Sequence, residues 1–383
     1  MTIRYFRVPL RICALALLAC CPAAFATADF ALSPALAGAP AEQRKLMSMG
    51  SSGSALYVVG ERGLIAHSDD GGDSWNQHEV PVSSTLTAIT FTSDGTGFAV
   101  GHGGVILRAA PGSNSWEKVF DGLQANQQFL EWAASTRDRL EQALAELEAM
   151  EDVDPDALGD AEIAFEDALF AFEDAEVAVE TGPADPFLDV LFLDDRQGIA
   201  IGAYGMLYRT EDGGDSWALS IDGIENVERF HLYSLALDTG GRLHASGEAG
   251  LLFYSDDAGK SWTRSYDVYD GSLFAVVVNG EAIYTIGLRG NVFRSDDRGV
   301  TWESVTLPGT GSLYSGTTGA SGELIFVGTG GRVVYSADGG QNFSETTHPS
   351  RSAISDVILA DDRLQLTTMS GFLSEALEDY DGD

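Results

Sequence analysis

The stretch SDDGGDSWNQHEV, residues 68–80, places several residues that could do chemistry close together. A serine, a carboxylate, a glycine and a tryptophan stand in its first eight positions. Such a group could bind a metal ion, supply a carboxylate to a hydrolase, or fasten a turn through hydrogen bonds to its own backbone. Neither this stretch nor the terminal DYDGD has the length and closing glutamate of a calcium loop. Because the six histidines also lack close ligand spacing, we expect no metal site and no cofactor.

The same spacing recurs four more times along the chain, which decides between these roles. The copies are SDDAGKSW, SDDRGVTW, TEDGGDSW and SADGGQNF. Five copies of a catalytic group would be redundant, whereas a repeated fold needs one fastener in each repeat. We therefore predict a turn in which the aspartate accepts N–H bonds, the glycine takes a positive φ, and the ring is buried under the turn or toward the next repeat. The predicted structural positions are Ser68, Asp70, Gly72, Trp75, Asp212, Trp217, Asp257, Trp262, Asp297, Trp302, Asp338 and Phe343.

A Gly-x-x-Gly turn between two apolar runs precedes each box, as in VVGERGLIAHS. Two further turns of this kind lack a box. The second glycines are Gly63, Gly104, Gly205, Gly250, Gly290, Gly331 and Gly371. Apart from one longer interval they recur about every 40 residues, the length of a four-stranded propeller blade. The spacing predicts an all-β protein, a seven-bladed β-propeller with blades 1–2 in residues 29–122 and blades 3–7 in residues 187–383.

The last repeat predicts how the ring closes. It ends near Ala376, and the remaining LEDYDGD is too short and too charged for a good outer strand. We expect the segment ADFALSPA, residues 28–35, to supply the missing strand of blade seven, so that residues 29–36 lie beside that blade and two exposed edges are protected at once.

The longer interval contains an acidic insertion, residues 123–186, with 18 acidic and two basic side chains. We predict an antiparallel helical hairpin here, with a first helix from about Ala125 to Glu151. For the second helix, Asp154 is the predicted N-terminal cap and Pro155 the first helical position. Its apolar positions alternate three and four residues apart, as in a heptad seam: Leu158, Ala161, Phe165, Ala168, Phe172, Ala175 and Val179. Two roles stay open, a seam that only joins the two helices and an arm that docks a partner.

The Asp-boxes resemble the repeats of bacterial neuraminidases. The combined pattern of apolar strand, Gly-x-x-Gly, apolar strand and Ser-x-Asp-x-Gly-x-x-Trp resembles the photosystem II assembly and stability factor family, exported seven-bladed propellers. The resemblance covers residues 44–376 apart from the insertion. It implies a protein-binding helper in photosynthesis, a scaffold or chaperone for a newly made membrane protein complex.

Two other functions stay open, an accessory subunit of a membrane exporter and an Asp-box glycoside hydrolase. The Arg-Ile-Pro element that opens sialidase catalytic domains is absent from the sequence. We therefore expect no enzyme and no catalytic residue.

The N-terminus and the net charge limit where the protein acts and what it binds. Three arginines, a short apolar run and small residues before position 27 predict a signal peptide, residues 1–26, and a periplasmic or otherwise exported protein. LLAC, which ends at Cys20, is a lipoprotein-like box, so lipid anchoring at Cys20 is the alternative. The net charge of −36 argues against nucleic acid as a partner. We expect a monomer that binds a membrane protein on the extracytoplasmic side.

In a propeller, the turns between second and third strands all emerge on the face opposite the Asp-boxes. The residues inside the Gly-x-x-Gly turns differ between repeats although the frame is constant, which favours contact with a partner over turn filling. The predicted contact residues are Arg62, His102, Tyr204, Glu248 and Arg289.

Overall fold

The computed structural model describes residues 33–35, 40–183, 185–360 and 362–380. The predicted signal peptide, residues 1–26, lies outside them. In the described residues, seven antiparallel sheets follow one another along the chain, and two long helices stand between the second and third sheets. The prediction of a mostly β, propeller-like protein with two helices is confirmed.

The first three sheets have four strands each. Sheet 1 contains β1 (Leu46–Ser52), β2 (Ala55–Gly60), β3 (Ile65–Ser68) and β4 (Asn76–Gln77). Sheet 2 contains β5 (Leu86–Phe91), β6 (Gly97–Gly101), β7 (Val105–Ala109) and β8 (Glu117–Phe120). Sheet 3 contains β9 (Phe187–Phe192), β10 (Gly198–Gly202), β11 (Leu207–Thr210) and β12 (Ala218–Leu219).

Sheets 4 to 6 repeat this order, and sheet 7 has three strands in the described residues. Sheet 4 contains β13 (Leu232–Leu237), β14 (Leu243–Gly247), β15 (Leu252–Ser255) and β16 (Thr263–Arg264). Sheet 5 contains β17 (Leu273–Asn279), β18 (Ala282–Gly287), β19 (Val292–Ser295) and β20 (Glu303–Val305). Sheet 6 contains β21 (Leu313–Thr318), β22 (Leu324–Gly328), β23 (Arg332–Ser336) and β24 (Ser344–Thr347). Sheet 7 contains β25 (Ile354–Ala360), β26 (Arg363–Thr368) and β27 (Gly371–Ala376).

The core lies between neighbouring sheets. The second strands of sheets 2, 3 and 6 are apolar runs that are buried on both faces: GFAVG in β6, GIAIG in β10 and LIFVG in β22. Side chains of adjacent sheets meet in shared clusters, for example Tyr284 of sheet 5 with Phe326 of sheet 6. The first strands of successive sheets also contact one another, and β25 contacts β1. The sheets therefore bury their faces against each other rather than against a separate layer.

The prediction for the closing strand is wrong for the part that the structure describes. Ala35 donates its N–H to the carbonyl of Val80 at 2.9 Å, beside sheets 1 and 2 rather than sheet 7. Residues 29–32 and 36 lie outside the described residues. A single 3-10 turn, Ala41–Gln43, contacts β27 instead. Ala41 packs there in an apolar cluster with Phe372, so a turn rather than a strand lies beside β27.

The helices form a hairpin with well-defined ends. α1 (Gly122–Glu148) begins and ends slightly earlier than predicted, because Asp121 caps it through the N–H groups of Leu123 and Gln124. α2 (Pro155–Thr181) begins as predicted, capped by Asp154. Near the base, the side-chain amide of Asn126 donates to the carbonyl of Ala178 at 2.8 Å, so the helices run antiparallel. Ala168 and Ala175 of the predicted seam are buried.

Within the described residues, neither helix is long and apolar enough to cross a membrane. The same residues contain no group of histidine, cysteine and carboxylate side chains arranged to hold a metal ion. His67 and His78 do come together, with Nδ1 and Nε2 2.7 Å apart. Burial lowers the pKa of His78 to about 4, so the His78 imidazole stays neutral at physiological pH.

Candidate partner-binding site

The Asp-box turns engage their own carboxylates. In the first box, Asp70 accepts the backbone N–H of Ser74 at 2.9 Å and the hydroxyl of Ser74 at 2.5 Å. Ser68 donates its hydroxyl to Asp70 and accepts the N–H of Gly72 at 2.8 Å. Hydrogen bonds from Ser74, followed by Ser68, lower the pKa of Asp70 to about 2. Asp212, Asp257, Asp297 and Asp338 repeat these contacts.

Each box also fastens its sheet to a neighbouring sheet. The Trp75 indole N–H donates to the carbonyl of Gly72 at 3.1 Å, and the Trp75 ring packs on Phe372 of sheet 7 with centroids 4.9 Å apart. The ring is therefore under the turn, as expected, but faces the preceding sheet rather than the next one. A Cβ added to Gly214 would lie 2.5 Å from Phe98, and one on Gly259 would lie 2.5 Å from Ile199. Sheets 3 and 4 thus also approach their predecessors at the box glycine.

The glycine turns form a second set of equivalent positions, which we call the glycine-turn face. The turns follow the second strand of each sheet, and five of them are one-turn 3-10 helices that begin at Glu61, Ala203, Glu248, Leu288 and Thr329. The third residue of the Gly-x-x-Gly pattern takes a left-handed backbone in every sheet from 1 to 6. It is Arg62, Gly103, Tyr204, Ala249, Arg289 or Gly330, with φ between 50° and 76°. This conformation costs free energy for a side-chain-bearing residue, yet Arg62, Tyr204 and Arg289 adopt it, and their side chains are exposed.

The structure places all five predicted contact residues in these turns. Arg62, His102, Tyr204 and Arg289 are exposed, and Glu248 is half-buried. Only Tyr204 and Glu248 share a partner, since the N–H of Tyr204 donates to His231 Nδ1 at 2.8 Å and His231 donates its own N–H to Glu248 at 3.2 Å. No direct contact joins Arg62, His102 and Arg289 in the described residues. Their role in binding stays a prediction.

An aromatic row on the inner strands adds to this face. Its rings follow one another in contact across sheets 3 to 6, with centroids 4.9 to 6.1 Å apart: Tyr204, His231, Tyr233, Phe274 and Tyr314. The hydroxyl of Thr329 donates to the hydroxyl oxygen of Tyr314 at 3.2 Å, which places Tyr314 beside the sixth turn. The sequence carries a signal for this row, because HLYS, SLFA and SLYS each put an aromatic residue after the first leucine of the strand. We call these five residues the aromatic row.

The hairpin meets the aromatic row at its base, where the hairpin and sheet 3 together line an open cavity of about 580 Å³. Phe129, Trp132, Tyr204 and Tyr208 supply most of its aromatic lining. Arg229 lies over the Phe129 ring, 4.1 Å from the centroid, and donates to the carbonyl of Tyr204 at 3.3 Å. Burial lowers the pKa of Arg229, and the charges of Asp174 and Asp185 partly oppose this.

Residues 172–343 match the family described as photosynthesis system II assembly factor YCF48. A structure of YCF48 bound to D1 peptide is 15% identical, with 90% of this chain and 99% of that chain covered and a TM-score of 0.59. The structure of YCF48 from Cyanidioschyzon merolae is 14% identical, with 90% of this chain and 99% of that chain covered and a TM-score of 0.60. PorZ, a surface component of the type-IX secretion system of Porphyromonas gingivalis, is 11% identical over 88% of this chain and 37% of PorZ, with a TM-score of 0.52. No curated protein is significantly similar in sequence.

In the described residues, seven successive antiparallel sheets, five of which carry an Asp-box, define the class of propeller-like proteins with Asp-boxes. Within this class, residues 172–343 match the YCF48 family, and the solved YCF48 structures share the fold of the chain. The identities of the structural neighbours are low, so those structures establish the fold and no individual residue's role.

Proposed function

We propose that this protein is an exported, non-enzymatic assembly factor that binds a segment of a membrane protein on its glycine-turn face. The family that it matches is described as an assembly factor, and a YCF48 structure carries a D1 peptide. In this proposal the seven sheets are the blades of one closed ring, in residues 29–122 and 187–383. The hairpin of residues 123–186 is an accessory element, and residues 1–26 direct export, with anchoring through Cys20 as the alternative.

The aromatic row is the observation that carries this proposal. Tyr233, Phe274 and Tyr314 belong to three different sheets, yet their rings lie in one series on the same face. Tyrosine and phenylalanine offer large contact areas at low entropic cost, and arginine adds charge-assisted hydrogen bonds. The exposed Arg62 and Arg289 belong to the same set of turns. On the opposite face, the box carboxylates are already occupied by their own turns.

The partner can be identified by photo-crosslinking in the cells that make the protein. A photoreactive amino acid at Tyr314 or Arg289 tests the glycine-turn face, and one at Asp296 or Gln341 tests the Asp-box face as a matched control. We expect the first pair to crosslink to a membrane protein and the second pair not to do so. Crosslinks to a membrane protein from the Asp-box positions alone would contradict the face assignment. Crosslinks to an exporter subunit would identify the other function that the sequence left open.

A double substitution tests the arginines. Arg62→Ala/Arg289→Ala should weaken capture of the crosslinked partner by about tenfold or more and leave the melting temperature nearly unchanged, because exposed turn residues contribute little to stability. Arg196→Ala/Arg363→Ala is the control, since it removes the same charge from exposed positions beside the turns between first and second strands. Equal capture by wild type and both variants would show that the arginines do not bind the partner.

The glycoside hydrolase hypothesis is tested separately with chromogenic glycosides. We expect no turnover by the purified protein. Turnover that one carboxylate substitution abolishes would contradict the non-enzymatic proposal.

A further inference from the structure

Helix α2 carries a second apolar row, distinct from the seam that faces α1. Ile163, Phe170 and Val177 are seven residues apart, so they lie on one side of the helix at intervals of about two turns. Their exposed fractions are 61%, 64% and 57%. Single exposed apolar residues are common on protein surfaces, but three in register on one helix form a continuous surface. We call these three residues the outer row.

Acidic side chains flank the outer row on both sides. Glu166 and Glu173 lie three residues after Ile163 and Phe170, and Asp167 and Asp174 lie four residues after them. These spacings bring the carboxylates beside the apolar residues on the same face of the helix. The negative charge of Asp174 raises the pKa of Arg229, against the larger effect of burial. The other three carboxylates have no ion pair within the described residues, where the ion pair inside the hairpin is Arg137–Asp138 and the one at its base is Lys118–Asp121.

This pattern limits what can cover the outer row. A second copy of the hairpin would bring the same carboxylates face to face, and like charges at close range oppose association. An anionic lipid surface would be repelled for the same reason. A helix with a complementary apolar row and basic residues beside it would bury Phe170 and pair the unmatched carboxylates together.

We propose that the outer row is a docking site for a basic amphipathic helix of a partner protein. The docked helix would lie along α2, with its apolar residues seven apart against Ile163, Phe170 and Val177. Its lysine or arginine residues would face Glu166 and Glu173 on one side and Asp167 and Asp174 on the other. Asp167 and Asp174 also line the cavity at the base of the hairpin, so one edge of this site continues toward the aromatic row. The site is additional to the glycine-turn face.

A peptide-binding measurement on the whole protein tests this assignment. The probe is a synthetic three-heptad helix with leucine at one position of each heptad and lysine at the flanking positions. A shuffled peptide of the same composition, whose leucines are scattered around the helix, is the first control. The protein variant is Ile163→Asp/Phe170→Asp, which removes apolar surface and adds two negative charges. Tyr266→Asp/Val300→Asp adds the same charges at exposed positions on sheets 4 and 5 and is the second control.

The sign of the charge change makes the test decisive. Since the variant is more negative than wild type, non-specific attraction of a cationic peptide would be unchanged or stronger, whereas specific docking requires at least tenfold weaker binding. We expect this loss only for the outer-row variant and only with the amphipathic peptide. Equal or tighter binding by the outer-row variant, or equal binding of the shuffled peptide, would overturn the proposal. A wild-type dimer that Phe170→Asp converts to a monomer would overturn it in favour of a second copy. Crosslinking from Tyr314 uses a residue outside the hairpin. Failure of the peptide test would therefore leave the proposed function standing, and failure of the crosslinking test would leave the outer-row site standing.

Discussion

The two adjacent glycines of an Asp-box have different physical reasons to be glycine. Gly71 and Gly72 both take a positive φ, 73° and 99°. A Cβ on Gly71 would meet nothing within 4 Å, whereas a Cβ on Gly72 would overlap the ring of Phe372 in sheet 7. The turn alone favours glycine at position 71, where two other boxes have Ala258 and Arg298 in the same left-handed backbone, whereas Gly72 is also required by the close approach of two sheets. Sequence spacing shows that both are turn residues, but only the neighbouring sheet distinguishes them.

Replacing each of these glycines by alanine should separate the two effects. We expect Gly71→Ala to lower the free energy of unfolding by about 1 kcal/mol, the cost of a left-handed conformation for alanine. Gly72→Ala should lower it by about 1–3 kcal/mol more, because the added methyl group forces the aromatic contact apart. Chemical denaturation of both variants measures the difference. Equal effects of the two substitutions would show that Gly72 has no packing role between sheets 1 and 7.

At the scale of an element, the base of the hairpin is part of the propeller body. Gln128 accepts the N–H of Leu219 at 2.8 Å and donates to the carbonyl of Trp217 at 2.9 Å, so α1 extends the hydrogen bonding of β12. Trp132 donates its indole N–H to Asp222 at 2.7 Å. A hairpin that branches from a loop is often removable without effect on the sheets, but these contacts argue against that for residues 126–182. Removal would leave these groups of sheet 3 without their partners.

A pair of neighbouring glutamines tests this attachment. Gln128→Ala should destabilise the protein by about 1–2 kcal/mol, since it leaves a backbone donor and a backbone acceptor of β12 unpaired. Gln127→Ala is the matched control, because Gln127 is exposed and only contacts Glu131 on its own helix. It should change stability by less than about 0.5 kcal/mol. Thermal denaturation of both variants provides the comparison, and a Gln128→Ala protein as stable as the control would show that the hairpin base is independent of sheet 3.

The elements that the sequence predicted well are those with a repeated local cause. The boxes, the glycine turns and the second strands recur with fixed spacing, and Asp154 with Pro155 marks the start of α2. The prediction failed where contact between distant segments decides the outcome. Nothing in ADFALSPA indicates that Ala35 bonds to Val80, and nothing in the heptad seam indicates that Gln128 reaches β12. The aromatic row had a visible signal, but its continuity depends on which strands become neighbours.

At the scale of the whole molecule, carboxylates on the first strands link neighbouring sheets. Asp189 of β9 accepts the N–H of Leu235 in sheet 4 at 2.7 Å. Asp356 occupies the equivalent position in β25 and accepts the N–H of Met49 in sheet 1 at 2.9 Å. It also accepts the hydroxyls of Ser48 and Ser315. Asp356 therefore connects sheets 6, 7 and 1, and desolvation raises the pKa of both carboxyl groups.

The raised pKa of Asp189 predicts how stability depends on pH. Burial raises this pKa to about 7, so between about pH 4 and 7 the folded protein holds a proton that the unfolded chain has released. The free energy of unfolding should therefore fall as the pH rises through this range. Asp189→Asn should reduce this fall, with a small loss of stability at pH 5 because its amide replaces one acceptor oxygen. Melting temperatures from pH 5 to 8 measure the slope, and Asp194→Asn, at an exposed turn, should retain it.

The bond between Met49 and Asp356 spans 307 positions of sequence. During synthesis from the N-terminus, sheet 1 is therefore complete long before its neighbour on one side exists. Until sheet 7 is made, the side of the Trp75 ring that Phe372 later covers is open to water. The N–H of Met49 in β1, which later donates to Asp356, is open to water as well. The nascent chain thus carries an unsatisfied surface for most of its production, and contacts of such long sequence separation form late. The order of the sheets along the chain therefore requires that this surface be protected during biogenesis, by a holdase or by the growing sheets themselves.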